Sequence, residues 1–214
     1  MIFLFLGPPG SGKGTQAQIL SDQFSCKHIS VGEELRQIAL NKGKNYEVIQ
    51  EAVDSGKLVP SFVVKDLIMQ YLSKNYTHLI LDGYPRNLEQ VDILNLILKN
   101  SKEGIGAIYF NINIDLLLQR IDGRISCAIC HKIYHKKNNP PKINGICDHC
   151  GSDQLIHRKD DNPEILKNRM KEYEKSMHQV IQYYKNLGLC SSIDANKNPK
   201  QITQELLDLM FGDK

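Results

Sequence analysis

The feature that most constrains the fold is a glycine-rich turn near the start of the chain. Residues 7–16 read GPPGSGKGTQ, directly after the apolar run Ile2–Leu6 and before a helix-forming stretch at 17–24. Glycines have no Cβ, so this backbone can bend sharply and aim several N–H groups at one anion, while Lys13 reaches the outer phosphates. A buried strand that leads through such a turn into a helix is typical of a phosphate-binding loop. The sequence therefore predicts a site for a nucleoside triphosphate.

One position departs from the usual pattern of this loop. Gly7, Gly12 and Lys13 have the P-loop spacing, but Gly14 stands where serine or threonine usually follows the lysine, and Thr15 comes one place later. Because of this departure, the loop pattern does not identify which residue binds Mg²⁺. The alternative is a flexible glycine turn with no ligand, although a strand and a helix flank it as phosphate binding requires.

Length and charge limit the classes of protein that remain. A chain of 214 residues can build one substantial core with a small insertion, but not two ordinary α/β domains. Its net charge of +3 is small beside 27 basic and 24 acidic residues, so nothing favours a nucleic-acid or membrane partner. No segment approaches the ~20 apolar residues that span a bilayer, and the apolar start lacks the basic flank of a signal peptide. We expect a cytoplasmic protein.

Apolar runs alternate with segments that carry helix start signals. This alternation predicts an α/β fold with a central parallel sheet covered by helices, in which ligands lie beyond the carboxyl ends of the strands. Between residues 123 and 161 no helical or strand periodicity of any length appears, which indicates a separate insertion. The predicted strands are 2–6, 27–29, 78–81, 107–112 and 190–193, and the predicted helices begin near residues 30, 45, 60, 87, 115, 162 and 198.

One predicted strand ends in a carboxylate. Residues 77–86 read THLILDGYPR, an apolar run that reaches Asp82 and then turns through Gly83 and Pro85. A carboxylate at a strand end beside a P-loop can hold Mg²⁺, directly or through a water molecule. The alternative for Asp82 is an aspartate that only forms the turn before a glycine.

Two cysteine pairs lie in the insertion. Cys127-x2-Cys130 and Cys147-x2-Cys150 are separated by sixteen residues, a spacing typical of a structural four-thiolate zinc site. About 39 residues with few large apolar side chains cannot build a core, so a metal would stabilise the segment in its place. Disulfides are the alternative. His131 and His149 are not needed as ligands, because four sulfurs complete a tetrahedron.

Several motifs resemble one family. GPPGSGKGTQ at 7–16, ISVGEELR at 29–36, GKLVP at 56–60, LDGYPR at 81–86 and HRKDD at 157–161 are similar to the adenylate kinases of the long-lid, zinc-binding type. The resemblance runs from residue 1 to about 194. It implies a P-loop NTPase core at 1–29, 60–122 and 162–214, a helical AMP-binding insert at 30–59 and a zinc-binding lid at 123–161. It also implies Mg²⁺-dependent transfer of a phosphoryl group from ATP to AMP, giving two ADP, by a monomer.

Arginine usage agrees with this resemblance. Of the 27 basic residues 21 are lysine, and a guanidinium offers a rigid fork for phosphate oxygens that an ammonium cannot reproduce. For any one arginine the alternative is an ion pair on a helix surface. By the resemblance, Arg36 and Arg86 bind AMP, Arg120 and Arg124 bind ATP, and Arg158 and Arg169 bridge both nucleotides; these six are the only arginines.

The resemblance assigns the remaining site residues. Gln90 also suits a helix cap, and Tyr134 also suits packing within the lid, so both alternatives stay open. The catalytic residues are Lys13, Arg86, Arg124, Arg158 and Arg169. The ATP site further comprises Gly10, Ser11, Gly12, Gly14, Thr15, Ile133, Tyr134 and the backbone of Lys197; the AMP site further comprises Val31, Lys57, Val59, Gly83 and Gln90; Thr15 and Asp82 hold Mg²⁺.

Residues 30–33 depart from the family pattern and keep other functions open. They read Ser-Val-Gly-Glu where most relatives have Ser-Thr-Gly-Asp, so Val31 lacks a hydroxyl beside the acceptor. A GTP:AMP phosphotransferase or another nucleoside monophosphate kinase is the nearest rival. A P-loop regulatory switch and a zinc-ribbon nucleic-acid binder are rivals of a different class. A switch does not need a second set of phosphate-binding arginines, and a binder needs a basic stripe.

Overall fold

The computed structural model describes residues 1–212, and its regular elements alternate between strands and helices. The strands are β1 (Ile2–Leu6), β2 (Cys26–Ser30), β3 (His78–Asp82), β4 (Ile105–Asn111), β5 (Arg124–Cys127), β6 (Ile133–His135), β7 (Leu155–Ile156) and β8 (Cys190–Asp194). The helices are α1 (Lys13–Gln23), α2 (Val31–Leu40), α3 (Tyr46–Ser55), α4 (Ser61–Leu72), α5 (Leu88–Leu98), α6 (Ile114–Asp122), α7 (Pro163–Asn186) and α8 (Pro199–Phe211).

Five strands form a central parallel sheet in the order β2-β3-β1-β4-β8. The predicted α/β fold with a parallel sheet covered by helices is therefore confirmed. β1 is the middle strand and is buried along its whole length, because helices cover both faces. Alternate residues point to opposite faces, so Leu4 joins one apolar cluster and Phe5 the other. The core predicted over 162–214 ends in α8, and residues 213 and 214 lie outside the described residues.

The helix starts follow the signals in the sequence. At α7 the side chain of Asn162 accepts a hydrogen bond from Glu164 N, and Pro163 follows at the first turn. At α8 Asn198 and Gln201 form a reciprocal capping box. These caps satisfy N–H groups that have no partner within a helix, so the predicted starts lie within one residue of the observed ones.

The predicted insert at 30–59 contains α2 and α3, and α3 packs on α7. Gly56 ends α3 with φ +72°, and a Cβ there would lie 2.7 Å from Ile165 O. Asn168 Nδ2 donates a hydrogen bond to Ser55 O at 3.2 Å. Glycine is needed at this position because both the positive φ and the close backbone leave no room for a side chain. The insert is thereby held against the start of α7.

The segment 123–161 contains regular structure that its sequence does not reveal. β5 pairs antiparallel with β6 and β7, and a single 3₁₀ turn follows at Lys159–Asp161. The lack of periodicity in the sequence therefore did not mean a lack of regular structure. Strands of two to four residues are too short to show a period. Within residues 1–212, no helix combines the length and apolar character needed to cross a membrane.

Candidate active site

The glycine-rich turn joins β1 to α1 and leaves the start of the helix open. Gly12 is the N-cap, with φ +95° and no side-chain cap, so N–H groups of the first turn have no side-chain partner at that end. Gly10 has φ +85°, and a Cβ there would lie 2.6 Å from Ile121 Cγ1. Backbone N–H groups at a helix start attract anions. The turn therefore has the geometry of a phosphate site.

Lys13 lies inside this turn. Its Nζ donates to Gly7 O and Pro8 O, each at 2.8 Å, and to Ser11 Oγ at 3.2 Å. Burial of the ammonium lowers the pKa of Lys13 to about 8, although the nearby Asp82 carboxylate opposes the shift. A phosphate bound in the turn would therefore lie close to the Lys13 ammonium.

The structure explains why glycine occupies position 14. A Cβ on Gly14 would lie 3.1 Å from Asp82 Oδ2 at the end of β3 and 3.4 Å from Ile133 Cδ1 of the lid. Burial alone would raise the pKa of Asp82, but the His28 imidazole, whose Nε2 lies 3.6 Å from Asp82 Oδ2, and the charge of Lys13 outweigh it and lower the pKa. The carboxylate is therefore ionised beside the first turn of α1, which carries Thr15.

Carboxylates pair with most of the predicted phosphate-binding arginines. Arg36 Nη2 lies 2.7 Å from Glu33 Oε2, and Arg36 Nη1 lies 3.3 Å from Asp160 Oδ2. Arg169 Nη1 lies 2.7 Å from the same Asp160 oxygen, and Arg158 Nη2 lies 3.2 Å from Glu33 Oε2. A carboxylate offers the guanidinium fork the same oxygen geometry as a phosphate.

Two more of the six arginines have different partners. Arg124 forms a two-point ion pair with Asp161, and Arg120 Nη1 lies 3.4 Å from Ser11 O of the phosphate turn. Asp160 and Asp161, the last two residues of the motif HRKDD, thus both interact with arginines. Burial lowers the pKa of Arg158 and of Arg169 to about 10. Buried guanidiniums without full compensation favour an incoming anion.

The acceptor side is built around the turn after β3. Gly83 has φ +75° and its carbonyl accepts from Arg86 Nε at 2.8 Å. Gln90 is buried, and its Oε1 accepts from Arg86 N at 2.8 Å. Asn87 Oδ1 accepts from Gln90 N, so the cap at α5 uses the backbone of Gln90 and not its side chain. The contact with Arg86 N thus uses the amide oxygen of Gln90 and not its nitrogen, which is a donor.

The other acceptor-side residues border the insert. Val31 begins α2 and is only 3% exposed, and Val59 is buried in the same apolar cluster. Lys57 is exposed and its N–H donates to Ala52 O at 3.0 Å, just past the end of α3. Val31 and Val59 therefore offer shape and apolar surface, and no side-chain hydrogen bond.

On the donor side, the lid residue Ile133 lies over the phosphate turn beside Gly14. Tyr134 is buried within the lid, where its hydroxyl accepts from Asp148 N at 2.8 Å and lies 3.4 Å from Cys147 Sγ. Its side chain therefore packs among the cysteines. Lys197 directs its ammonium to Glu205, which leaves only its backbone for a base.

The four lid cysteines converge on one point. Their Sγ atoms all lie within 4.8 Å of one another, with Cys127–Cys150 at 3.5 Å and Cys130–Cys147 at 3.4 Å. Ligands at ~2.3 Å around a tetrahedral zinc ion are about 3.8 Å apart, so this arrangement fits the metal. No two of the six cysteines are bonded as a disulfide, and Cys26 and Cys190 lie outside the cluster. The cluster is compatible with zinc.

Glu33 is a site residue that the sequence-based assignment did not include. It noted the glutamate only as a departure from the family pattern. Besides Arg36 and Arg158, Glu33 contacts His131, whose Nδ1 lies 2.9 Å from Oε1. Burial alone would raise the pKa of Glu33, but the two arginines outweigh it and lower the pKa. The i,i+3 spacing to Arg36 was the only signal in the sequence.

Comparison with known proteins places this geometry in a family. The family model described as adenylate kinase matches residues 5–189. A protein named adenylate kinase from Rickettsia bellii (strain RML369-C) is 42% identical over 211 residues, covering 96% of this chain and 97% of the relative. Another from Rickettsia prowazekii (strain Madrid E) is 40% identical over 212 residues, covering 98% and 99%. With a matched P-loop, paired arginines and four converging cysteines, the chain belongs to the adenylate kinase family.

Proposed function

We propose that the chain transfers the terminal phosphoryl group of ATP reversibly to AMP, giving two ADP. The supporting observation is that two sets of cationic side chains, each predicted to bind phosphates, lie near one another. Lys13 and Arg120 lie at the P-loop, while Arg86 lies across the cleft beside Arg36: a Cβ on Gly32 would be 3.6 Å from Arg36 Nη1 and 3.7 Å from Arg86 Nη2. A site for one nucleotide needs only the first set.

Positioning and charge would carry the reaction. The moving phosphoryl group spreads its charge over its oxygens, and the acceptor is already a phosphate oxygen, so no general base is required. We propose that Lys13, Arg86, Arg124, Arg158 and Arg169 hold the two phosphate chains in line and neutralise them. Guanidiniums held by Glu33, Asp160 and Asp161 need little reorganisation when phosphates replace the carboxylates.

We propose that the segments 30–59 and 123–161 close over the nucleotides. Water competes with the acceptor in phosphoryl transfer, and closing segments exclude it. Glu33 of the insert contacts Arg158 and His131 of the lid, and Lys132 Nζ of the lid lies 3.3 Å from Asp22 Oδ2 of α1. These contacts join all three predicted regions in a closed arrangement.

Two metals belong to this proposal. Mg²⁺ bound with ATP would be held by Thr15 and Asp82, directly or through water, where it would draw charge from the transferring phosphate. The cysteines Cys127, Cys130, Cys147 and Cys150 would hold a structural Zn²⁺ with no open coordination position.

The acceptor contact of Gln90 supports adenine over guanine. Its Oε1 is taken by Arg86 N, so its nitrogen faces a ligand as a donor. The Watson–Crick edge of adenine has an acceptor at N1, whereas guanine has a donor there. A mismatched pair leaves a buried polar group unsatisfied and is strongly rejected. Val31 lacks the hydroxyl of the usual threonine and therefore offers the acceptor nucleotide one polar contact fewer. A substrate panel has to distinguish the pair ATP and AMP from GTP and AMP and from other nucleotide pairs.

The test is a substrate panel. ADP formation is measured from Mg-ATP with AMP, GMP, CMP or UMP, and then from Mg-GTP with AMP, with a Lys13→Met variant as the inactive control. We expect fast ADP production only when the donor is ATP and the acceptor is AMP. Activity with another pair would replace the base assignments but keep the phosphate chemistry. No transfer with any pair would contradict the proposal and favour a switch or a binding module.

A further inference from the structure

The two cysteine turns of the lid share one backbone conformation. His131 N donates to Cys127 O at 3.0 Å in the first turn, and Gly151 N donates to Cys147 O at 2.9 Å in the second. The residue after the second cysteine has a positive φ in both, +63° at His131 and +74° at Gly151. Glycine adopts this conformation freely, whereas a residue with a Cβ does so at a steric cost. The first turn therefore keeps a histidine where glycine would fit better.

The two positions differ in what surrounds them. A Cβ on Gly151 would meet no atom within 4 Å, so the second turn faces open space. His131 instead reaches across the cleft, and its Nδ1 lies 2.9 Å from Glu33 Oε1 on the insert helix α2. A neutral imidazole with its proton on Nδ1 suffices to donate to a carboxylate. A strained backbone held at a cleft contact points to a function for the side chain.

The partners of Glu33 divide between its two oxygens. Oε2 accepts from Arg36 and Arg158, at 2.7 and 3.2 Å, whereas Oε1 faces His131 and also accepts from Gln37 Nε2 of its own helix at 3.4 Å. Arg36 and Arg158 are the arginines proposed to turn to phosphates when nucleotides bind. Once these two arginines bind phosphates, His131 is the lid residue that still contacts Glu33. The contact then joins the lid directly to the insert.

We propose that His131 is a positioning residue that couples AMP binding in the insert to lid closure over ATP by holding Glu33 across the cleft. The inference rests on the proposed function. Coupling of two sites is reciprocal, so each nucleotide raises the affinity for the other by the same factor. Part of that factor depends on the His131–Glu33 contact, because it forms only when lid and insert are both closed.

The test measures this factor without catalysis. Dissociation constants are determined by calorimetry for AMP with and without saturating Mg-AMP-PNP, an ATP analogue that transfers no phosphoryl group, and for Mg-AMP-PNP with and without AMP. His131→Gly relieves the backbone and removes the donor; we expect the coupling factor to fall roughly fivefold while each nucleotide alone binds within about twofold of the unaltered protein. His131→Asn tolerates positive φ and keeps a side-chain N–H, so it should restore most of the coupling.

Lys132→Ala is the matched control, since Lys132 is the next residue but contacts Asp22 of α1 and not the insert. It should change the affinity for AMP-PNP alone and leave the coupling factor as it is. Unchanged coupling in His131→Gly, with normal zinc content and melting temperature, would overturn the inference. So would an absence of coupling in the unaltered protein that binds both nucleotides. Failure of the unaltered protein to bind AMP would overturn the proposed function itself.

Discussion

The ammonium of Lys13 is surrounded by oxygen atoms of its own loop, and its pKa of about 8 has a measurable consequence. Above pH 8 most free protein holds Lys13 neutral. A bound triphosphate favours the charged ammonium and raises its pKa, so binding takes up a proton near pH 8.5. The affinity for Mg-ATP should therefore fall as the pH rises above 8.

Calorimetry in two buffers with different heats of ionisation measures this proton uptake directly. AMP is the internal control, because its proposed phosphate ligands are arginines that stay protonated at this pH, and it should take up no proton. Lys13→Met should abolish the uptake for Mg-ATP. Equal heats in both buffers for the unaltered protein would show that Lys13 is not neutral before binding.

At the scale of elements, the turn between β1 and α1 depends on how closely α6 packs against it. Gly10 and Gly188 both have positive φ, +85° and +67°, but only a Cβ at Gly10 would collide with Ile121, since Gly188 meets nothing within 4 Å. Gly188→Ala should lower the free energy of unfolding by about 1–2 kcal/mol, the cost of the backbone conformation alone. Gly10→Ala should cost a further ~1–3 kcal/mol from overpacking and should also weaken ATP binding.

Urea unfolding of the two variants separates these contributions, because only at Gly10 would an added methyl group meet a neighbouring side chain. Equal losses of stability would mean that α6 yields to the extra methyl group. In that case the turn would be set by backbone conformation and not by packing.

The elements also show what a sequence can predict. β1, β3 and β4 stand out as apolar runs, and the caps at Asn162 and Asn198 locate α7 and α8, because these signals are local. The three lid strands were missed, since their stability comes from cross-strand pairs and the cysteine cluster rather than from a long apolar period. The Glu33–His131 contact was missed for a related reason. It joins residues 98 positions apart that meet only when the lid lies on the insert.

At the scale of the whole molecule, the cleft and the rest of the chain differ in charge. The six arginines and Lys13 make seven cations, and they face four carboxylates: Glu33, Asp82, Asp160 and Asp161. The excess of three positive charges equals the net charge of +3 of the whole chain. Charges elsewhere are therefore balanced in number.

The lid should respond to metal as a separate part of the molecule. Removing zinc by chelation, or through Cys150→Ser, should free β5, β6 and β7, because the segment has only a small apolar cluster centred on Cys127, Tyr134 and Cys147. A loss of about 2–3 kcal/mol would lower the melting temperature by about 5–10 °C in a chain of this size. Hydrogen exchange should quicken in the lid and stay slow in β1 and β3.

Cys190→Ser is the control for the metal experiment, since Cys190 begins β8 outside the four-cysteine cluster. It should retain zinc and the melting curve of the unaltered protein. A melting curve that does not change after the metal is stripped would contradict the zinc assignment.

The chain has only six arginines, and the proposed function places all of them at bound nucleotides, so the proposal can be probed by covalent labelling. A dicarbonyl reagent such as phenylglyoxal reacts much faster with the guanidiniums of the six arginines than with the ammonium groups of the 21 lysines. Each adduct would therefore report on the cleft alone, with no background from elsewhere. Protection by bound nucleotides, resolved by mass at each arginine, would then give the occupancy of each phosphate subsite separately.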